Sequence, residues 1–298
     1  MLAELQARHR SLLVAPLVGK RAAEPSEAQR EIAGLVERVG RARLWAVRGG
    51  LSSLVDKVVR HLEQQPQVEL RLGHACTRLE PPATATGPMR VHLADGSILE
   101  ASHVVSGVPA PRLAAAVAGD GPLAKLLGGI PMASMVVVNA VYEQSVLPFP
   151  GFGYLVPTTE PDNNVLGVVF DSAVFPELNP PDQPNMTRVT VMSGGYAFDR
   201  LYGGLAPAEQ HARAEQLSLD ALRTQLGVTA RPQLTNVVFW RDTMPQYRVG
   251  HAGLCAAIEQ QLAAAPWHGR LHVTGNSYYG AGVNDTVHHA VAVANRLL

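Results

Sequence analysis

The chain has 298 residues, 47% of them hydrophobic, with 25 Lys plus Arg balanced by 25 Asp plus Glu. That length and apolar share suffice for one large domain or two ordinary ones around a sizeable core. A formal net charge of zero argues against a nucleic-acid surface, which wants a basic excess, and no run of about 18 apolar residues offers a membrane-spanning helix.

In chain order, residues 1–14 have the spacing of an amphipathic helix rather than a signal peptide, and a Pro/Gly break follows at Pro16 and Gly19. A second helix is predicted over 26–39, with Ser26 as N-cap and Gln29 completing a capping box. Gly49 and Gly50 precede a further amphipathic helix, whose apolar face carries Leu51, Leu54, Val55, Val58, Val59 and Leu62. VELRL (68–72) alternates as a strand, and MRVHL-ADG-SILE carries a hairpin signal at Ala94-Asp95-Gly96. HVVSGVP (103–109) reads as a short apolar strand.

The middle is strand-rich: ASMVVVNAVYE, GFGYLVP, NVLGVVFDS and TRVTVMSGG are β-branched, with Gly, Pro or Asn between them. Few helices intervene, which predicts a mixed or antiparallel sheet. A helix over 207–226 ends at Gly227. Then come the strand QLTNVVFWRD, a turn at MPQY, a helix near 253–265, the strand LHVTG and a closing helix. The pattern is a mixed α/β (α+β) fold with sheet pieces at both ends and a β-rich block between them.

The closing segment LHVTGNSYYGAGVNDTVHHAVAVANRLL is strand, glycine turn, helix. Gly275, Gly280 and Gly282 let the backbone turn sharply near a helix start, whose unpaired N–H groups suit an anionic or electron-rich group. A phosphate and the pyrimidine edge of a flavin are both candidates, and so is plain structure. Gly275-Asn276-Ser277-Tyr278-Tyr279 lacks the second glycine of a nucleophile elbow, which is displaced to Gly280. His288 and His289 point to different helix faces, and His268 and His272 span a turn, so neither pair reads as metal ligands. Asp285 suits the helix dipole better than a role as base. Cys76 and Cys255 form no C-x-x-C and read as reduced structural thiols. No complete G-x-G-x-x-G occurs; PGFGYLV has Val156 where the last glycine belongs.

WAVRGGLSSL, HVVSGVPA, ASMVVVNAVYE, PGFGYLVPTTE, LGVVFDSAVFPE, RVTVMSGG, MPQYRVGH and TGNSYYGAGVND run in order along nearly the whole chain. Together they resemble the C-terminal part of the protoporphyrinogen oxidases, flavin enzymes of haem synthesis in the amine-oxidase-like superfamily. The resemblance implies a two-lobed FAD-dependent oxidase fold, here incomplete, because the N-terminal segment that grips the FAD pyrophosphate has no counterpart. Residues 1–43 would be the tail of a helical, membrane-associated lobe, 44–110 and 234–298 the FAD-binding lobe, and 111–233 the β-rich substrate-binding lobe.

By the same resemblance, Asn276, Ala281, Gly282 and Val283 meet the flavin, Ala75 the adenosine half of FAD, and Phe239 and Trp240 pass close to the flavin. Phe152, Gly153, Leu155 and Met192 line the tetrapyrrole cavity. The implied reaction is oxidation of protoporphyrinogen IX to protoporphyrin IX with dioxygen as acceptor, without a protein acid or base and without a metal. The implied setting is a homodimer held peripherally on the intermembrane-space side of the mitochondrial inner membrane. A catalytically silent truncated chain remains an alternative, and so does another oxidase of the superfamily acting on amines or carotenoids.

Overall fold

The computed structural model describes residues 44, 46–117, 121–160 and 164–298. The helices expected over 1–14 and 26–39 lie outside the described residues. The chain divides into two units, Met1–Gln64 and Gln65–Leu298. In the first, helix α1 (Ser52–Glu63) follows Gly49 and Gly50, which adopt φ +87° and +83°. Arg60 and His61 in its last turn complement the negative end of the dipole. Its stripe of Leu51, Leu54, Val55 and Val58 is exposed.

The second unit begins without the strand expected at VELRL. Residues 68–72 join no ladder among the described residues, Leu70 and Leu72 are exposed, and Arg71 pairs with its neighbour Glu69 at 2.7 Å. Alternation shows what a strand would offer to a partner, but a strand exists only once it is paired.

A three-stranded antiparallel meander follows, β1 (Cys76–Glu80), β2 (Met89–Leu93) and β3 (Ile98–Ala101). Its second hairpin turns where the sequence predicts. Gly96 takes φ +85°, and the Asp95 carboxylate accepts the Ser97 N–H at 2.9 Å. Strand β4 (Val104–Ser106) leads through Pro109 into α2 (Ala110–Ala116) and then α3 (Pro122–Gly128). Leu79, Met89, Leu113, Leu127 and Ile130 from these elements share a core with residues near the C-terminus, Ile258, Trp267, Leu271 and Tyr278. Burying each such side chain contributes roughly 1.5–3 kcal/mol, which draws the distant segments together.

The β-rich block forms one antiparallel sheet in the order β6-β7-β8-β5-β9: β5 (Met132–Tyr142), β6 (Gly153–Leu155), β7 (Gly167–Val169), β8 (Thr187–Gly194) and β9 (Leu234–Pro245). Between β7 and β8 lies the one-turn helix α4 (Asp171–Val174), and after β8 comes α5 (Phe198–Tyr202). The long helix α6 (Pro207–Leu226) has both ends set by the sequence. Pro207 sits in its first turn, and Glu209 reaches back to accept the Ala206 N–H at 2.8 Å. Gly227 closes it in the left-handed conformation at φ +71°.

With α5, α6 covers one sheet face, where Val136, Val138, Ala140, Val189 and Val191 are buried against Leu201, Tyr202, Ala214, Leu217 and Leu222. Because side chains alternate along a strand, Met135, Val137 and Asn139 of β5, Thr190 and Met192 of β8, and Trp240 of β9 share the opposite, open face.

β9 runs further than the sequence suggested. A bulge opposite Ala133–Met135 lets it continue to Pro245, so the expected turn at MPQY begins only at Gln246, whose N–H donates to Pro131 C=O at 2.8 Å. At the bulge Asp242 adopts φ +51° and donates its N–H to Ser134 Oγ at 3.0 Å. The strand, read from 234 onward as part of the FAD lobe, pairs along its length with β5. Helix α7 (His251–Ala263), β10 (Leu271–Val273) and α8 (Val283–Asn295) complete the unit, with β10 parallel to β4.

Candidate functional site

Strand β10 delivers the chain into the glycine turn. Gly280 has φ +141°, and a Cβ there would lie 2.3 Å from Asp285 Cβ, so only glycine lets the turn close over its own helix. Helix α8 starts beyond Gly282, whose carbonyl accepts the first helical bond from Thr286 N–H at 3.0 Å. No side chain caps this end. The N–H groups of Val283, Asn284 and Asp285 therefore remain open donors at the positive end of the helix.

Tyr247, from the loop after β9, clamps the turn. Its hydroxyl donates to Asn276 C=O and accepts the Gly280 N–H at 2.9 Å. Its ring stacks on His251 with centroids 4.1 Å apart and planes at 14°. His251 Nε2 in turn lies 2.8 Å from Tyr278 C=O. Asn276 Nδ2 donates to Thr243 C=O at 3.2 Å, which stitches the turn to the end of β9.

Nucleophilic chemistry finds no support in this turn. Ser277 Oγ is buried and accepts the Ala110 N–H at 3.1 Å. Burial pushes the Cys255 thiol up to about 11, which keeps it from being a thiolate. His289 packs on Tyr279 at 4.5 Å, and His272 Nε2 lies 3.1 Å from His103 Nδ1. Among the described residues no group of three or more His, Cys, Asp or Glu is placed to hold a metal.

Of the residues expected at a cofactor, Asn276, Ala281, Gly282 and Val283 come together at the turn and helix start, the last three exposed. Ala75 is exposed just before β1, accepts the Ala94 N–H at 2.9 Å, and adjoins Cys76. Cys76 lines a cavity of about 380 Å³ with Leu79, Val91, Val105 and Arg112.

Phe239 and Trp240 part company, because consecutive residues of a strand face opposite ways. Phe239 packs toward α5 and α6, its ring 5.4 Å from Tyr202 and 5.1 Å from His211, with the Arg241 guanidinium 5.2 Å above it. Trp240 stands on the open face, 52% exposed.

Of the residues expected at the substrate, Gly153, Leu155 and Met192 share that face by register. Met192 is paired with Val137 on one side and with Gly167 on the other, and Leu155, opposite Gly167, is 81% exposed. Gly153 is there for the backbone: at φ +138° an added Cβ would lie 2.1 Å from Val168 C=O. Phe152 is exposed and its carbonyl accepts the Phe170 N–H at 2.9 Å.

Two features escaped the sequence reading, the Tyr247 clamp and a polar chain on the open face. Asn139 Nδ2 donates to Thr190 Oγ1 at 2.8 Å, and Thr190 Oγ1 donates to Asp171 Oδ2 at 2.7 Å. Burial pushes the Asp171 carboxyl up, opposed by the Thr190 hydrogen bond and by Arg188. The only signal in the sequence is a polar Asn inside an apolar strand.

The donor set fits one edge of a flavin ring. Open helix-start N–H groups suit the electron-rich edge of an isoalloxazine. No glycine turn for a pyrophosphate accompanies them.

The profile of the family described as flavin containing amine oxidoreductase matches residues 12–298. The chain is 37% identical to human protoporphyrinogen oxidase, over 94% of this chain and 56% of that protein. It is 34% identical to the Bos taurus protoporphyrinogen oxidase, over 97% and 58%. The chain thus spans a little over half the length of these relatives. A crystal structure from Exiguobacterium sp. 255-15, described provisionally as a protoporphyrinogen oxidase, shares the fold with a TM-score of 0.71 at 18% identity, over 99% of this chain and 57% of that one.

Proposed function

We propose, from the premise that this chain belongs to the flavin containing amine oxidoreductase family, that it forms the C-terminal part of a protoporphyrinogen oxidase. The observation that carries the reading is a junction. The glycine turn that precedes the uncapped start of α8 is tied by the Asn276–Thr243 hydrogen bond to β9, the strand whose Trp240 stands on the open sheet face. A greasy macrocycle suits such a face, and an electron-rich ring edge suits such a helix start. The 37% identity to the human protoporphyrinogen oxidase supports the same reading.

In this account the substrate is protoporphyrinogen IX, the cofactor FAD, the acceptor dioxygen and the pathway haem synthesis. Bound FAD would supply the oxidising power by taking hydride from a methylene bridge of the tetrapyrrole. The chain's own residues bind, orient and exclude water. Met192, Leu155 and Val137 would give the macrocycle an apolar floor, with Trp240 on the same face. The N–H groups of Val283, Asn284 and Asp285 would hold the electron-rich edge of the flavin and favour negative charge there. Ala75 would border the adenosine half.

A peripheral homodimer on the intermembrane-space side of the mitochondrial inner membrane is part of the proposal and rests on the family resemblance alone. Among the described residues no helix is long and apolar enough to cross a membrane.

The test is a titration of the purified chain with protoporphyrin IX, followed by porphyrin fluorescence. Saturable binding that is lost in Met192→Asp supports the reading. Binding that survives the substitution unchanged places the tetrapyrrole elsewhere and overturns it.

A further inference from the structure

We propose that Asn139 positions the substrate. The Asp171–Thr190–Asn139 chain fixes the Asn139 side-chain carbonyl as a hydrogen-bond acceptor on the open sheet face, where it receives a pyrrole N–H of a reduced tetrapyrrole. This inference rests on the reading that the face holds a tetrapyrrole.

An ionised carboxylate only accepts, and a threonine hydroxyl has a single proton to give. Thr190 spends that proton on Asp171 Oδ2, 2.7 Å away. Its lone pairs are left for a donor, and the directly opposite residue on β5 is Asn139. Asn139 meets them with its amide nitrogen at 2.8 Å. The chain of donors thus has one direction, which decides how the amide is turned. Its Oδ1 takes no bond within the described protein and is not among the buried atoms lacking a partner. The acceptor is open to a ligand.

Nearby charge does not interfere. The neighbouring Arg188 is occupied, its Nε donating to Asn179 Oδ1 at 2.8 Å and its Nη2 to Phe175 C=O at 3.2 Å.

The position is right for a macrocycle. Asn139 and Thr190 form the cross-strand pair next but one to Val137 and Met192, on the same face. Two residues along a strand span roughly 7 Å, so a tetrapyrrole seated on Met192 reaches Asn139.

The chemistry is selective. In the reduced macrocycle every pyrrole ring carries an N–H, and the saturated bridges let the rings tilt these donors out of the mean plane. In the conjugated product the ring is flat and its remaining N–H groups point inward. A fixed acceptor below the ring therefore favours substrate over product and eases product release.

The experiment measures anaerobic binding of protoporphyrinogen IX and, separately, of protoporphyrin IX to the wild-type chain, Asn139→Leu and Thr190→Val. Asn139→Leu removes the acceptor at similar size, and Thr190→Val leaves it present but unanchored. The expected result is a loss of about five- to tenfold for protoporphyrinogen IX in Asn139→Leu, a smaller loss in Thr190→Val, and unchanged protoporphyrin IX binding in both. Protoporphyrin IX binding also reports that each variant is folded. Equal losses for both ligands mean a merely structural role and overturn the proposal, as does no loss in either variant. A wild-type chain that binds neither ligand overturns the tetrapyrrole reading itself and this inference with it.

Discussion

Replacing Tyr247 by Phe removes one oxygen and with it both hydrogen bonds that clamp the glycine turn. The lost bonds are the one accepted from Gly280 N–H at 2.9 Å and the one donated to Asn276 C=O. A net hydrogen bond contributes about 0.5–1.5 kcal/mol. Tyr247 is 41% exposed, so water replaces part of what is lost. The expected cost is about 1–2 kcal/mol, or roughly 2–8 °C in Tm for a unit of this size. The stack on His251 survives in Tyr247→Phe but not in Tyr247→Ala, which should cost a further 0.5–1.5 kcal/mol, roughly. Thermal melting by circular dichroism reads the stability. Amide hydrogen exchange across the turn and the start of α8 reads the clamp, and exchange there should speed up in Tyr247→Phe. If Tyr247→Phe melts within about 1 °C of wild type with unchanged exchange at the turn, the hydroxyl does not hold it and the clamp is wrong.

Two further substitutions probe the fold that carries the site. Gly153→Ala should destabilise the β6–β7 edge by more than about 2 kcal/mol in urea unfolding, because its Cβ would meet Val168 C=O at 2.1 Å in a left-handed backbone. His272 has its pKa lowered from 6.5 by burial, by His103 and by Arg296, so the unfolded chain takes up its proton before the native one does. Its neutral form therefore contributes stability that is complete above about pH 6.5 and is lost as pH falls toward the lower native value. Chemical denaturation from neutral pH downward should show this decline, and His272→Gln should flatten it.

Sequence carried the local rules well. Pro207 and Gly227 bracket α6 because fixed φ suits a helix start and left-handed φ its end. Asp95-Gly96 placed the hairpin for the same kind of reason. The mixed α/β fold and the antiparallel middle sheet followed from pattern and turn chemistry. What sequence did not carry was partnership. VELRL has strand alternation but joins no ladder among the described residues. Position in a family motif put Phe239 and Trp240 together at the flavin, whereas strand alternation sends Phe239 under α6 and leaves Trp240 on the open face. The Tyr247 clamp and the Asn139–Thr190–Asp171 chain join residues far apart in sequence, so only the folded register brings them together.

The central claim is a flavin at the uncapped start of α8 and a tetrapyrrole on the open sheet face. The most direct test joins this chain to the N-terminal part of the human protoporphyrinogen oxidase that it does not cover. The product is purified with FAD, and its flavin absorbance is recorded anaerobically before and after adding protoporphyrinogen IX or a primary amine. The account predicts bleaching by protoporphyrinogen IX and none by the amine. Bleaching by the amine with an unchanged spectrum in protoporphyrinogen IX would contradict it.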